Sequence, residues 1–180
     1  MSVSVALLRA VNVGGRNLVP MADLRATFET LGFAGVRTYV QSGNVVFRHP
    51  GRASDALARR IEATVAARFG SRVQIMLRTA AELGRALGDS PFASQAARNP
   101  ATVHIGFLSR PPANSRALDT DAERVAPDRF VVRDREIHLW YPNGLGRSKL
   151  TNALIERRLG VSATSRNWNT VTKLHELASE

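Results

Sequence analysis

Apolar positions alternate with period two at the start of the chain, then recur every three or four residues, and this switch repeats along its length. Val3, Val5 and Leu7 alternate along a first predicted strand that ends near Arg9. After a polar loop, Ala10 to Val19, Pro20 fits the first turn of a helix that carries Met21, Leu24, Phe28 and Leu31 on one face. Val36 to Gln41 and Asn44 to His49 predict a hairpin around Ser42-Gly43. Leu57, Ile61, Val65 and Phe69 at spacing four predict a second helix. Val73, Ile75 and Leu77 predict a further strand, and Ala80 to Leu87 an appended helix.

Ser90 to Pro100 is rich in Ser, Asn, Gln and Pro and predicts a linker. Beyond it the same order returns. Thr102 to Leu108 predicts a strand, Ser115 to Val125 a helix, and Phe130 to Arg133 with Glu136 to Tyr141 a hairpin around Asp134-Arg135. Leu150, Leu154 and Leu159 predict a helix, Ala163 to Ser165 a short strand, and Trp168, Val171, Leu174 and Ala178 the stripe of a terminal helix. The expected fold class is α+β, with two ferredoxin-like β-α-β-β-α-β subdomains over residues 1–92 and 100–180 and helices appended to them.

Composition changes this picture in three ways. The chain has 180 residues and no cysteine, which excludes disulfides and thiolate metal sites and points to a reducing cytoplasm. No apolar run reaches the roughly 20 residues of a membrane helix, so no membrane partner is expected. The formal net charge of +10 suits a phosphate-bearing small molecule or nucleic acid. All but Lys149 and Lys173 of the 25 cations are arginine, which also fits codon usage in a G+C-rich genome and a solvated surface.

The chemistry-bearing residues lie in loops. Asn12, Gly14, Gly15, Arg16 and Asn17 fill a strand-to-helix connection where two glycines permit positive φ and a close approach to an anion. The alternative reading is a tight connection capped by its own asparagines. The G-x-G-x-x-G spacing of a dinucleotide fingerprint is absent. Gln41 and Asn44 flank the hairpin turn, where they either shape the turn or offer amides to bases and sugars. Gly144 to Asn152 reads G-L-G-R-S-K-L-T-N and delivers Gly146, Arg147 and Lys149 to an expected helix start at Ser148. Unpaired amides and the dipole at such a start favour phosphate or carboxylate. A Walker loop is absent, and Ser148 serves equally as a helix cap. In the run Arg166-Asn167-Trp168-Asn169, Asn167 is placed to cap the last helix and Trp168 to join the core, which leaves Arg166 and Asn169 for contact with a ligand. His49, His104, His138 and His175 are scattered without ligand spacing, so no metal site is expected, and no motif names a catalytic base or nucleophile.

The stretches L-L-R-A-V-N-V-G-G-R-N at 7–17, V-P-M-A-D-L-R at 19–25, T-Y-V-Q-S-G-N-V-V-F at 38–47, G-L-G-R-S-K-L-T-N at 144–152 and S-R-N-W-N-T-V at 165–171 resemble the domain of unknown function 1697 family. The resemblance implies a bacterial α+β protein of two ferredoxin-like subdomains, with no established activity. The residues themselves name no cofactor, and none is expected. Ala10 stands where that family has glycine. The residues support a cytoplasmic protein that binds a phosphate-bearing ligand on its polar loops. The alternatives are an enzyme acting on a small phosphorylated metabolite in a cleft between the subdomains, and a protein-interaction module.

Overall fold

The computed structural model describes residues 1–180 and shows a mixed α+β chain with two four-stranded antiparallel sheets and seven α-helices. By contact the chain divides into two compact units, residues 1–83 with 173–180, and residues 84–172.

The first unit contains β1 (Ser2–Leu8), α1 (Met21–Thr30), β2 (Ala34–Tyr39), β3 (Asn44–His49), α2 (Asp55–Phe69) and β4 (Ile75–Arg78). The strands order as β2-β3-β1-β4, with β1 antiparallel to both β3 and β4. Alternation along β1 decides which side chains meet α1 and α2. Ala6 and Leu8 face the helices and join Leu24, Phe28, Val45, Phe47, Ile61 and Val65 in one core. Phe28, Phe33 and Phe47 cluster at its centre, with ring centroids 4.8–6.0 Å apart. Helix α2 is held at its start by Ser54, whose hydroxyl accepts from the Leu57 N–H at 3.2 Å. Residues 173–180 return to this unit, where Arg37 pairs with Glu180 and the His175 ring lies 3.0 Å from the Ala80 carbonyl.

Helix α3 (Ala80–Gly88) leads to α4 (Ala93–Arg98), β5 (Val103–Leu108), α5 (Ala122–Val125), β6 (Arg129–Arg133), β7 (Glu136–Trp140), α6 (Asn152–Leu159), β8 (Ala163–Asn167) and α7 (Trp168–Ser179). The second sheet orders as β6-β7-β5-β8, the same arrangement as the first. One face carries Leu108, Ile137, Leu139 and Ala163 against Leu118, Leu154, Ile155 and Leu159. Gly106 lies in the centre of β5, where an added Cβ would stand 2.5 Å from Ile137 Cγ2.

Two stretches differ from the expectation. Ser90 to Pro100 is not an unstructured linker, because α4 forms within it and Phe92 and Ala96, four residues apart, pack on Val103, Trp140 and Trp168. The helix expected over Ser115–Val125 shrinks to a 3-10 turn at Asp119–Asp121 followed by the single turn of α5. Asp121 is buried, and Arg158 donates to its carboxylate at 2.6 and 3.2 Å, so its side chain serves a distant partner. That hydrogen bond holds the Asp121 carboxyl below the usual carboxylate range.

Candidate functional site

The sequence-predicted residues fall into two groups, one in each unit. In the first unit the connection Ala10–Val19 leaves β1, and its Val13–Arg16 segment forms a tight turn. Arg16 N–H donates to the Val13 carbonyl at 3.0 Å, and Gly14 and Gly15 take φ of +57° and +73°. Positive φ at both central residues is the type I′ geometry, and it explains the glycine pair. Asn12 ties this connection to the hairpin loop. Its Oδ1 accepts from Val19 N–H at 2.8 Å, while Nδ2 donates to the Val19 carbonyl at 3.0 Å and the Gln41 carbonyl at 2.8 Å. Asn17 Nδ2 donates to the Ala10 carbonyl at 3.1 Å, and its own carbonyl accepts from Asn12 N–H.

The structure thus brings Asn12, Asn17 and Gln41 together through bonds within the protein, with Arg16 left exposed. Asn44 is fully buried and donates to the Tyr39 carbonyl and to Ser42 Oγ. Gly43 sits against β1, where an added Cβ would stand 2.4 Å from Val11 Cγ2 and 2.8 Å from Leu8 Cβ. Both loops hold strain, since Ala10, Asn12 and Asn17 in the connection and Val40 in the hairpin loop take φ between +48° and +55°. Asparagine tolerates that region through local hydrogen bonds; alanine and especially valine do not.

In the second unit the loop after β7 carries Gly146, Arg147 and Lys149, all exposed. Leu145–Arg147 is a single 3-10 turn, and the helix begins four residues later than expected. Its cap is Thr151, whose hydroxyl accepts from Leu154 N–H at 3.2 Å. Ser148 does not cap it. Its hydroxyl donates to Asp128 Oδ2 at 2.6 Å and accepts from Leu150 N–H at 2.8 Å, which pins the loop to the start of β6. Arg147 and Lys149 therefore flank a fixed serine, and neither has a carboxylate within 4.0 Å.

Arg166 lies on β8, not on the surface. It is 7% exposed, its Nη1 donates to Thr164 Oγ1 at 2.6 Å and to the Ser165 carbonyl at 2.9 Å, and burial lowers its pKa to about 10. Asn167 caps α7 by accepting from Thr170 N–H at 2.9 Å, and Asn169 beside it is exposed. Arg158 is committed to Asp121. The exposed, unpaired cations of this unit's polar loop are thus Arg147 and Lys149. Sequence reading passed over Thr151 and Asp128; the threonine has a cap signature, whereas the aspartate has no local signal at all.

Two histidines lie in the second sheet, His104 half-buried on β5 and His138 buried on β7. Burial lowers both His104 and His138 to a pKa of about 4, with the charge of Arg133 adding to the effect at His138. No group of three or more histidines and carboxylates is placed to hold a metal ion, and no helix is long and apolar enough to cross a membrane.

Residues 1–138 match the family described as Protein of unknown function (DUF1697). The chain belongs to that family. The match ends within β7, so the loop at 144–152 and the run at 165–171 lie beyond the matched residues. The chain is also similar in structure to a conserved bacterial protein from Streptococcus pneumoniae, with a TM-score of 0.71 and 21% identity over 100% of this chain and 99% of the other. At that identity the likeness concerns the fold. No curated protein matches the chain. Ala10, standing where the resemblance to the family sets glycine, has φ of +55°, a conformation glycine adopts without steric cost.

Proposed function

We propose that this DUF1697 chain binds a phosphate-bearing ligand, nucleic acid foremost, by charge, with Arg147 and Lys149 as its principal contacts. The observation that carries the reading is the exposure of these two cations on a loop fixed by Ser148, Leu150 and Asp128, with no carboxylate neutralising either. A guanidinium supplies a planar fork for phosphate oxygens, and an ammonium beside it supplies a mobile point charge. The net charge of +10 adds long-range attraction for a polyanion. Asn169, exposed beside the cap of α7, is a secondary contact, and Arg16, exposed in the first unit, adds to the overall positive charge. Asn12, Gly14, Gly15, Asn17, Gln41, Asn44 and Gly146 belong to the reading as the framework that shapes and holds the loops, whereas Arg166 is buried on β8 and bonded within its own strand.

The repeated strand order, β2-β3-β1-β4 and β6-β7-β5-β8, supports a ferredoxin-like reading for each unit. The cysteine-free sequence supports a reducing compartment, the cytoplasm. A salt titration tests the function. Binding of a labelled 20-nucleotide single strand should weaken linearly in log–log form as salt rises, by about 0.7 in slope per phosphate contact. Salt-insensitive binding, or no binding at low salt, would sink the polyanion reading.

A further inference from the structure

We propose that the loop end of the first unit, formed by residues 9–20, 40–43 and 70–74, docks a segment of a partner protein that carries aliphatic and acidic side chains. These three connections leave the same end of the sheet, since β1 and β2 finish there and β3 and β4 start there. Asn12 joins the first to the second through the Gln41 carbonyl, and Arg9 N–H joins the first to the third through the Gln74 carbonyl at 2.9 Å. On this framework Val13 is 64% exposed, Leu18 70% and Val40 48%, three of the chain's five exposed large apolar residues.

Val40 is the most telling of the three. A valine at φ of +50° is sterically disfavoured, and glycine or asparagine would fill the same turn position at lower cost. Its backbone conformation gives no reason for valine there, and about half of the residue lies in solvent. A contact outside the chain gives one, because an aliphatic group held in a fixed position loses little entropy on docking.

Charge selects the partner. The twenty-one residues' worth of loop at 9–20, 40–43 and 70–74 contain no Asp or Glu, and Arg16 and Arg72 are exposed there without an ion pair. The nearby carboxylate of Asp23, in the first turn of α1, faces Arg68 at 3.9 Å. Aliphatic groups bordered by uncompensated arginines match a segment with Leu, Ile or Val side chains beside carboxylates. A second copy of this face would set arginine against arginine. Nucleic acid is a poorer match, because single strands bind on aromatic platforms and none of the exposed large apolar residues is aromatic.

The test is a selection of random 12-residue peptides displayed on phage against the full chain, followed by affinity measurement on the enriched peptides. Enriched sequences should combine aliphatic and acidic residues. Each of V13S, L18S and V40N should weaken their binding by about tenfold or more, as expected for anchor residues. V40N is the decisive variant, because it should lose binding while its stability holds or rises as the strained φ is relieved. The double variant R147A/K149A should bind the peptides unchanged, which separates this surface from the polyanion reading. No enrichment, enrichment of basic sequences, retention of binding by the three loop variants, or tighter binding at these loops of oligothymidine or anionic vesicles would overturn the proposal.

Discussion

Replacing Asn12 by alanine measures how far the first unit's loops depend on one amide. The substitution removes three hydrogen bonds, one accepted from Val19 N–H and two donated to the Val19 and Gln41 carbonyls. Val19 is 2% exposed, so no water replaces the acceptor lost by its N–H, a cost of about 1–3 kcal/mol. The Gln41 carbonyl is on an exposed residue and regains water, so that bond contributes little. Alanine at φ of +53° adds about 1 kcal/mol that asparagine largely avoids. The expected loss is therefore about 2–4 kcal/mol in urea unfolding followed by circular dichroism. Asn12→Gly removes the same bonds without the backbone penalty and should be less damaging by about 1 kcal/mol. Asn12→Asp keeps the acceptor but turns an oxygen toward two carbonyls, and should approach the alanine variant. A loss below about 0.5 kcal/mol for Asn12→Ala, or equal losses for alanine and glycine, would refute the reasoning.

Three further outcomes follow from particular residues. Ala10→Gly should be neutral or stabilising by up to about 1 kcal/mol, because φ of +55° strains alanine, whereas the same exchange in a regular strand or helix destabilises; a clear loss in urea unfolding would contradict it. Thr151→Ala should cost about 1 kcal/mol through the lost cap of α6 and leave the Arg147 loop in place, whereas Ser148→Ala should loosen that loop, as read by amide hydrogen exchange at Leu150. Stability should fall as pH drops from about 6.5 toward 4. Over that window the unfolded chain protonates His104 and His138 while the native state, with both near 4, keeps them neutral. Each contributes a slope of up to about 1.4 kcal/mol per pH unit, so His138→Gln should flatten the profile; an unchanged slope would refute it.

Most strands and helices were legible because their period is local. β1, α1 and α2 announce themselves through alternation or helical spacing, β2 and β3 through the turn between them, and Asn167 acts as the cap its position suggests. What was not legible depends on partners far along the chain. Ser148 and Thr151 both look like caps, and the choice rests on Asp128, twenty residues away, which draws the Ser148 hydroxyl. Arg166 reads as a surface cation in a polar run, yet β8 pairs it opposite Ile105 and buries it. Asp121 is taken by Arg158 from α6, and the helix expected over Ser115–Val125 is cut short. Phe92 and Ala96 carried a helical spacing, but the polar residues between them masked it. In the Asn12 loop the glycine pair correctly signalled positive φ, whereas the use of the Asn12 amide was fixed by Gln41, beyond any local pattern.

The central claim, that Arg147 and Lys149 hold phosphate by charge, is tested most directly by the salt dependence of the double alanine variant. Fluorescence anisotropy of a labelled 20-nucleotide single strand, across 50 to 300 mM salt, gives the slope for the parent and for R147A/K149A. Loss of two phosphate contacts should reduce the slope by about 1.4 and weaken low-salt binding, with urea stability unchanged because exposed cations contribute little to folding. A variant with the parent's slope and affinity would contradict the account.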